Sequence, residues 1–241
     1  MSEAAADGYS GIDNLEVMAE ALNYNAFLRS LVERELRPGD AVLDFGAGTG
    51  TLALPLAGAG HPVACVEPDP QLRGRLSAAG LTAHADLSAV PEHSLDFAYT
   101  VNVLEHIDDN AAAIAALRER LKPGGRLLVY VPAFAVLYSS MDRKVGHRRR
   151  YRRRELVALL ERAGLTVERA AYCDSLGFFA TLLFKLFGND SGTIDRRALV
   201  LYDRWLFPLS RTLDGIFGRW FGKNLLAAAR RDDAYRVPER A

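Results

Sequence analysis

Five short apolar runs, spaced by stretches of helix length, constrain the first half of this chain more than any other feature. They are Ala41 to Phe45, Pro62 to Val66, Leu81 to Ala85, Ser94 to Val101 and Arg126 to Val131. Runs of this length between helical stretches read as buried strands, and their alternation with helices builds βαβ units around a parallel sheet. Such crossovers are right-handed, and ligands of such sheets bind beyond the carboxyl ends of the strands. Asp44, Glu67, Asp86 and Asn102 all fall at those ends. The expected fold is α/β: a Rossmann-like, doubly wound, mostly parallel sheet. Its helix before the fifth strand opens at Asp108-Asp109-Asn110 and closes at Lys122-Pro123-Gly124-Gly125.

The bulk properties narrow the functional classes. The chain has 241 residues, enough for one generous domain, and 30 basic residues balance 30 acidic ones, so any pull toward polyanions is local. The two cysteines, Cys65 and Cys173, have neither disulfide-framework nor metal-ligand spacing, and Cys65 reads as a buried thiol. No His/Asp cluster has ligand spacing, so no metal is expected. Met1 to Tyr9 lacks the features of a signal peptide, and no apolar stretch is long enough to span a bilayer. A cytoplasmic location and a monomer or homodimer are the expectations.

Gly46, Gly48 and Gly50 follow the first strand directly. A glycine turn from strand to helix lets a ligand reach the backbone and aims free helix amides at it. The spacing is not that of a dinucleotide fingerprint, which needs its third glycine where Thr51 stands, and no Lys-Ser or Lys-Thr pair follows to make a P-loop. Glu67 at the next strand end suits a ribose diol, Asp86 an adenine amine, and Asp44 an ammonium. Together these describe S-adenosylmethionine better than NAD.

Val42-Leu43-Asp44-Phe45-Gly46-Ala47-Gly48-Thr49-Gly50 closely resembles the first motif of class I S-adenosylmethionine-dependent methyltransferases. Glu67, Asp86 in Ala85-Asp86-Leu87, Asn102-Val103-Leu104-Glu105-His106-Ile107 and Leu121-Lys122-Pro123-Gly124-Gly125 match the later motifs in order, over about Asp40 to Pro132. The resemblance implies S-adenosylmethionine as cofactor and S-adenosylhomocysteine as product. It implies that Asp44, Gly46, Ala47, Gly48 and Gly50 hold the methionine part, Glu67 with Pro68 the ribose side, and Asp86 with Leu87 the adenine, with Asn102 near the sulfonium. It also places His106 toward the acceptor as candidate base. The alternative is a histidine that caps or packs the following helix. The Asn- or Asp-Pro-Pro-aromatic motif of nucleic-acid amino-methyltransferases is absent, since Asn102-Val103-Leu104-Glu105 holds no proline.

Six arginines crowd His147 to Arg154. Three readings stand open: an acceptor-binding lid, a polyanion or membrane surface, and a solvated helix start with Leu156, Leu159 and Leu160 inward. The lid reading places His147 and Tyr151 at the chemistry and Tyr138, Arg149 and Arg150 at an anionic acceptor. Tyr24 and Asn25, on an N-terminal helix expected from Asn14 to Glu35, are further acceptor candidates.

Thr166 to Cys173 and Lys223 to Arg230 read as the last two of seven strands, forming an antiparallel edge. The expected organisation is one domain: a helical cap (1–38), the cofactor-binding core (39–174), a helical insertion (175–222) and the last strand (223–230). Leu176 to Phe187 is almost wholly apolar, and Leu199, Tyr202, Leu206, Leu209, Leu213, Ile216 and Trp220 recur at helical spacing, interrupted by Pro208. That stripe reads first as core across two helices meeting at a bend; a dimer seam, or a wall for a long-chain acceptor, are the other readings. The functional expectation is methyl transfer to an oxygen of a small, anionic acceptor, with no nucleic-acid partner and peripheral membrane contact left open. The alternatives are a non-catalytic cofactor-binding scaffold and a protein or RNA methyltransferase.

Overall fold

A computed structural model describes residues 17–187, 191–193 and 195–232. The strands are β1 (Val42–Phe45), β2 (Val63–Val66), β3 (Thr82–His84), β4 (Leu95–Val101), β5 (Leu121–Pro132), β6 (Leu165–Cys173) and β7 (Asn224–Arg231). They form one seven-stranded sheet in the order β3-β2-β1-β4-β5-β7-β6. The first five pair in parallel, and β7 runs antiparallel to both β5 and β6. The strand order reverses at β1 and β4, which opens a crevice there.

The helices are α1 (Leu22–Glu33), α2 (Ala53–Gly58), α3 (Pro70–Ala78), α4 (Asn110–Arg120), α5 (Ser140–Lys144), α6 (Arg153–Arg162), α7 (Ser175–Phe187), α8 (Arg196–Leu201) and α9 (Phe207–Phe217). Asp69 starts α3 by accepting the amides of Gln71 and Leu72, with Pro70 in the first turn where a missing N–H costs nothing. Alternate residues of β5 serve two cores. Leu128 and Tyr130 pack with α1 and α2, whereas Leu127, Val129 and Val131 pack with α4 and α6.

Three expectations need correcting. The N-terminal helix is cut short: a turn at Ala19 and Glu20 precedes α1, which begins at Leu22. Leu15 and Met1 to Tyr9 lie outside the described residues. Lys122 to Gly125 does not close a helix but belongs to β5, because Leu121 already pairs with Leu95 and a register shift before Phe97 absorbs the surplus residues. Pro123 donates no ladder hydrogen bond, so an irregularity suits it.

The third correction concerns the insertion. A π-helical turn (Tyr202–Leu206) joins α8 to α9, and Pro208 sits in the first turn of α9 rather than at a bend. The stripe expected as core is largely on the surface: Leu209 is 51% exposed, Ile216 61% and Trp220 63%. Phe207 and Ser210 are the buried positions of α9. Among the described residues, no helix is long and apolar enough to cross a membrane.

Candidate active site

A cavity of about 360 Å³ opens where β1 and β4 part. Its wall includes Asp44, Gly46, Ala47 and Gly48 from the β1 end, Glu67, Pro68 and Asp69 from the β2 end, and Asn102 and His106 from the β4 end. Tyr24, Asn25 and Leu28 of α1 close the remaining side.

The glycine loop turns through positive φ at Gly46 (+85°), Gly48 (+54°) and Gly50 (+79°), a region that side chains disfavour. A Cβ on Gly46 would meet Val103 Cγ2 at 2.3 Å, whereas a Cβ on Gly48 would meet nothing within 4 Å. Gly46 is therefore needed for packing, and Gly48 leaves room for a ligand at the backbone.

Two carboxylates flank this loop. Asp44 is buried and accepts a hydrogen bond from the Tyr99 hydroxyl at 3.0 Å. Burial pushes its carboxyl up to about 7, the Tyr99 bond opposes the rise, and the charge of Glu67 adds to it. A buried acid facing a cavity is matched by a cationic ligand group. Glu67 accepts the Gly48 amide at 2.7 Å on Oε2 and the Asp69 amide at 2.9 Å on Oε1. Each oxygen keeps one lone pair, enough for a diol. The residues present thus fit an amino acid joined to a ribose.

Asn102 caps β4 in the left-handed region (φ +56°). Its side-chain amide donates to the Tyr24 hydroxyl at 3.4 Å, and burial pushes that hydroxyl up to about 12. Asn25 donates its side-chain amide to Met18 O at 3.0 Å. Burial lowers the His106 imidazole to about 4, with the neighbouring His147 and Arg148 adding to the shift, so His106 is neutral at physiological pH.

Several expected residues lie off the cavity wall. Asp86 is exposed and accepts the Ser88 amide at 2.8 Å, while Leu87 packs into the α4–α6 core. The basic segment departs most from the lid reading. Arg150 is buried and grips Asp142 with two bonds, Nε to Oδ1 at 2.8 Å and Nη2 to Oδ2 at 3.0 Å. His147 Nδ1 lies 2.7 Å from the same Asp142 Oδ1. Tyr138 donates its hydroxyl to the His147 carbonyl, and Arg149 donates to the Asp108 carbonyl. The Tyr151 hydroxyl donates to Leu104 O at 3.0 Å and accepts from Asn110 at 2.8 Å. Residues 147–151 are therefore a strap over the loop after β4, and Arg150 and Tyr151 serve the interior. Longer range explains the difference: arginine spacing alone does not reveal that Asp142 and two carbonyls await these side chains.

Sequence reasoning missed Glu105, Asp142 and Tyr99. Glu105 is fully buried, neither oxygen has a hydrogen-bond partner, and burial pushes its carboxyl up to about 8 against the pull of Arg150. No local pattern announces it beyond its place beside His106. Glu105, His106 and His147, which sequence spacing does not group, each offer a possible ligand donor, all within 4.8 Å of one another. A tetrahedral zinc site would need its donors at about 3.3 Å separations, given ligand bonds near 2 Å.

The comparisons with known proteins agree with this geometry. The family model of the methyltransferase domain matches residues 18–170. An uncharacterized 37.1 kDa protein in transposon TN4556 of Streptomyces fradiae is 32% identical over 140 residues, covering 54% of this chain and 40% of that protein. A ubiquinone biosynthesis O-methyltransferase of Xanthomonas oryzae pv. oryzae is 33% identical over 101 residues, covering 38% of this chain and 42% of that protein. The chain thus matches well under half the length of these relatives. Among solved structures, the methyltransferase in a complex with the Haloferax volcanii Trm112 activator is similar in fold, with a TM-score of 0.66 at 17% identity, covering 95% of this chain and 100% of that one. The cavity and the match over 18–170 lead to one conclusion: the chain belongs to the methyltransferase-domain family.

Proposed function

We propose that this chain transfers the methyl group of S-adenosylmethionine to a hydroxyl oxygen of a small-molecule acceptor. One observation carries the reading: Asp44, Gly48 and Glu67 converge on a single cavity with an acid, an open backbone and a second acid. In this reading Asp44 holds the ammonium, Glu67 the ribose hydroxyls, and Asp86 the adenine amine from the open end. The cofactor supplies a methyl group already activated as a sulfonium, so the protein's tasks are alignment and exclusion of water. Leu28, Leu52 and Leu72 on the wall exclude water, and Tyr24 and Asn102 shape the rim.

An anionic acceptor was expected from Arg149 and Arg150, but both are held by protein groups. No Lys or Arg lines the cavity among the described residues. The rim therefore favours a neutral hydroxyl compound. In this reading neutral His106 accepts that hydroxyl's proton as the new bond forms.

The test combines calorimetry with turnover on a panel of phenols, alcohols, carboxylates and amines. His106→Ala is expected to bind S-adenosylhomocysteine as the parent does and to lose about 10²-fold in kcat on the best hydroxyl acceptor. Unchanged turnover removes His106 from the chemistry, and failure of the parent to bind either cofactor form removes the whole reading.

A further inference from the structure

The insertion carries an exposed apolar surface with no partner among the described residues. On α7, Phe179, Leu183, Leu186 and Phe187 are 49%, 58%, 62% and 82% exposed, at spacings that put them on one helical face. From α8 to the turn after α9, Leu201, Trp205, Leu209, Ile216 and Trp220 form a second exposed stripe. Aromatic contacts join the two: Phe179 meets Phe221 at 5.5 Å, Phe221 stacks on Phe217 at 5.5 Å, and Phe217 meets Trp220 at 6.5 Å. A contiguous apolar patch on this scale marks an interaction site.

The charges around the patch select its partner. The exposed cations of the insertion are Lys185, Arg196, Arg197, Arg204 and Arg219, of which Arg196 pairs with Glu20, against the single exposed carboxylate Asp195 of the insertion among the described residues. The other two described acids are turned inward. Asp203 accepts the amides of Asn23 and Tyr24, and Asp214 those of Asp174 and Ser175. Arg204 lies over the Trp205 ring at 5.3 Å, which pairs a cation with an aromatic side chain at the surface. Exposed leucine, phenylalanine and tryptophan ringed by arginine match the acyl boundary and the negative headgroups of a bilayer. A second copy of the same cationic rim would meet like charge.

We propose that the α7–α9 insertion is a docking surface for an anionic lipid bilayer, lying on the membrane without crossing it. The opposite side of the insertion grips α1, where Phe207 meets Tyr24 edge-on at 5.5 Å and Arg211 lies over Phe27. Tyr24 also lines the cavity, so the docked insertion packs directly against the helix that closes it. The claim about the surface stands apart from the methyl-transfer reading, because vesicle binding is measured without cofactor or turnover.

The chain's two tryptophans, Trp205 and Trp220, both lie on this patch, so intrinsic fluorescence reports directly on it. The full chain is titrated with phosphatidylcholine vesicles, with and without about 30% phosphatidylglycerol, at low and high salt. The expected result is a blue shift and at least about ten-fold tighter association with the anionic vesicles, weakened by salt. Leu183→Glu and Ile216→Glu, which keep both reporters, should cut association about ten-fold or more while the circular dichroism and Tm stay unchanged. No association, or equal association with neutral vesicles, overturns the proposal. So does a stable homodimer in sedimentation equilibrium that Leu183→Glu dissociates, because the patch would then already be covered.

Discussion

The Asp203 carboxylate accepts the backbone N–H of Tyr24 at 2.8 Å across 179 residues of sequence. Its second oxygen accepts the Asn23 amide at 2.9 Å, so a residue of the insertion caps the helix that closes the cavity. Asp203→Ala should cost about 1–2 kcal/mol, as loss of an N-cap does, and lower Tm by roughly 2–8 °C. Because α1 carries Tyr24, the variant should also bind S-adenosylhomocysteine more weakly. Calorimetry and a thermal melt check both effects, and an unchanged binding constant would show that the cap does not govern the rim.

The glycine loop separates a folding role from a binding role. Gly46→Ala places a methyl group against Val103 at a positive φ, and a loss of about 2–5 kcal/mol is expected from strain and overpacking together. Gly48→Ala meets no neighbour and should cost only about 1–2 kcal/mol of backbone strain, yet weaken cofactor binding sharply. Urea unfolding alongside binding distinguishes them. Equal binding defects at equal stability would contradict this division.

Asp44 makes cofactor affinity depend on pH. Its folded-state value of about 7 lies above the ordinary 3.8, so the ligand-free fold favours the protonated acid. Stability contributed by that group is full below the ordinary value and falls as pH rises toward 7. An ammonium ligand needs the ionised form, so affinity should increase with pH up to about 7, by at most about ten-fold per unit. Calorimetry between about pH 5.5 and 7.5 should show proton release on binding. Asp44→Asn should bind weakly and flatten the profile, and a flat profile in the parent would refute the assignment.

Adjacent arginines of the strap should behave differently. Arg150→Ala leaves the Asp142 carboxylate buried without its main partner, at a cost of about 3–5 kcal/mol. Arg149→Ala removes one bond at an exposed carbonyl and should cost about 0.5 kcal/mol or less. An anion-binding lid predicts the reverse: both variants stable, with raised KM for an acidic acceptor. Chemical denaturation and KM measurements decide between the two.

The parts legible in the sequence were those governed by near neighbours. Strand ends, the glycine turn and the Asp109 cap depend on contacts within a few residues, so their patterns are local. The cap that Asp203 makes on α1 and the buried ion pair of Arg126 with Asp40 were not legible, because the partners lie 179 and 86 residues apart. Periodicity found the stripe from Leu199 to Trp220, but a stripe does not say which protein surface, if any, covers it. Glu105 stayed hidden because burial without a hydrogen-bond partner has no sequence signature.

Placing β7 between β5 and β6 has a consequence for synthesis. β6 has no other neighbour in the sheet, and the outer side of β5 waits for the same strand. Until residues 224–231 leave the ribosome, two unpaired borders flank an empty slot, with the greasy 175–222 excursion already made. The final strand therefore acts as a wedge that locks the architecture, and a nascent chain halted before Asn224 exposes both borders to self-association.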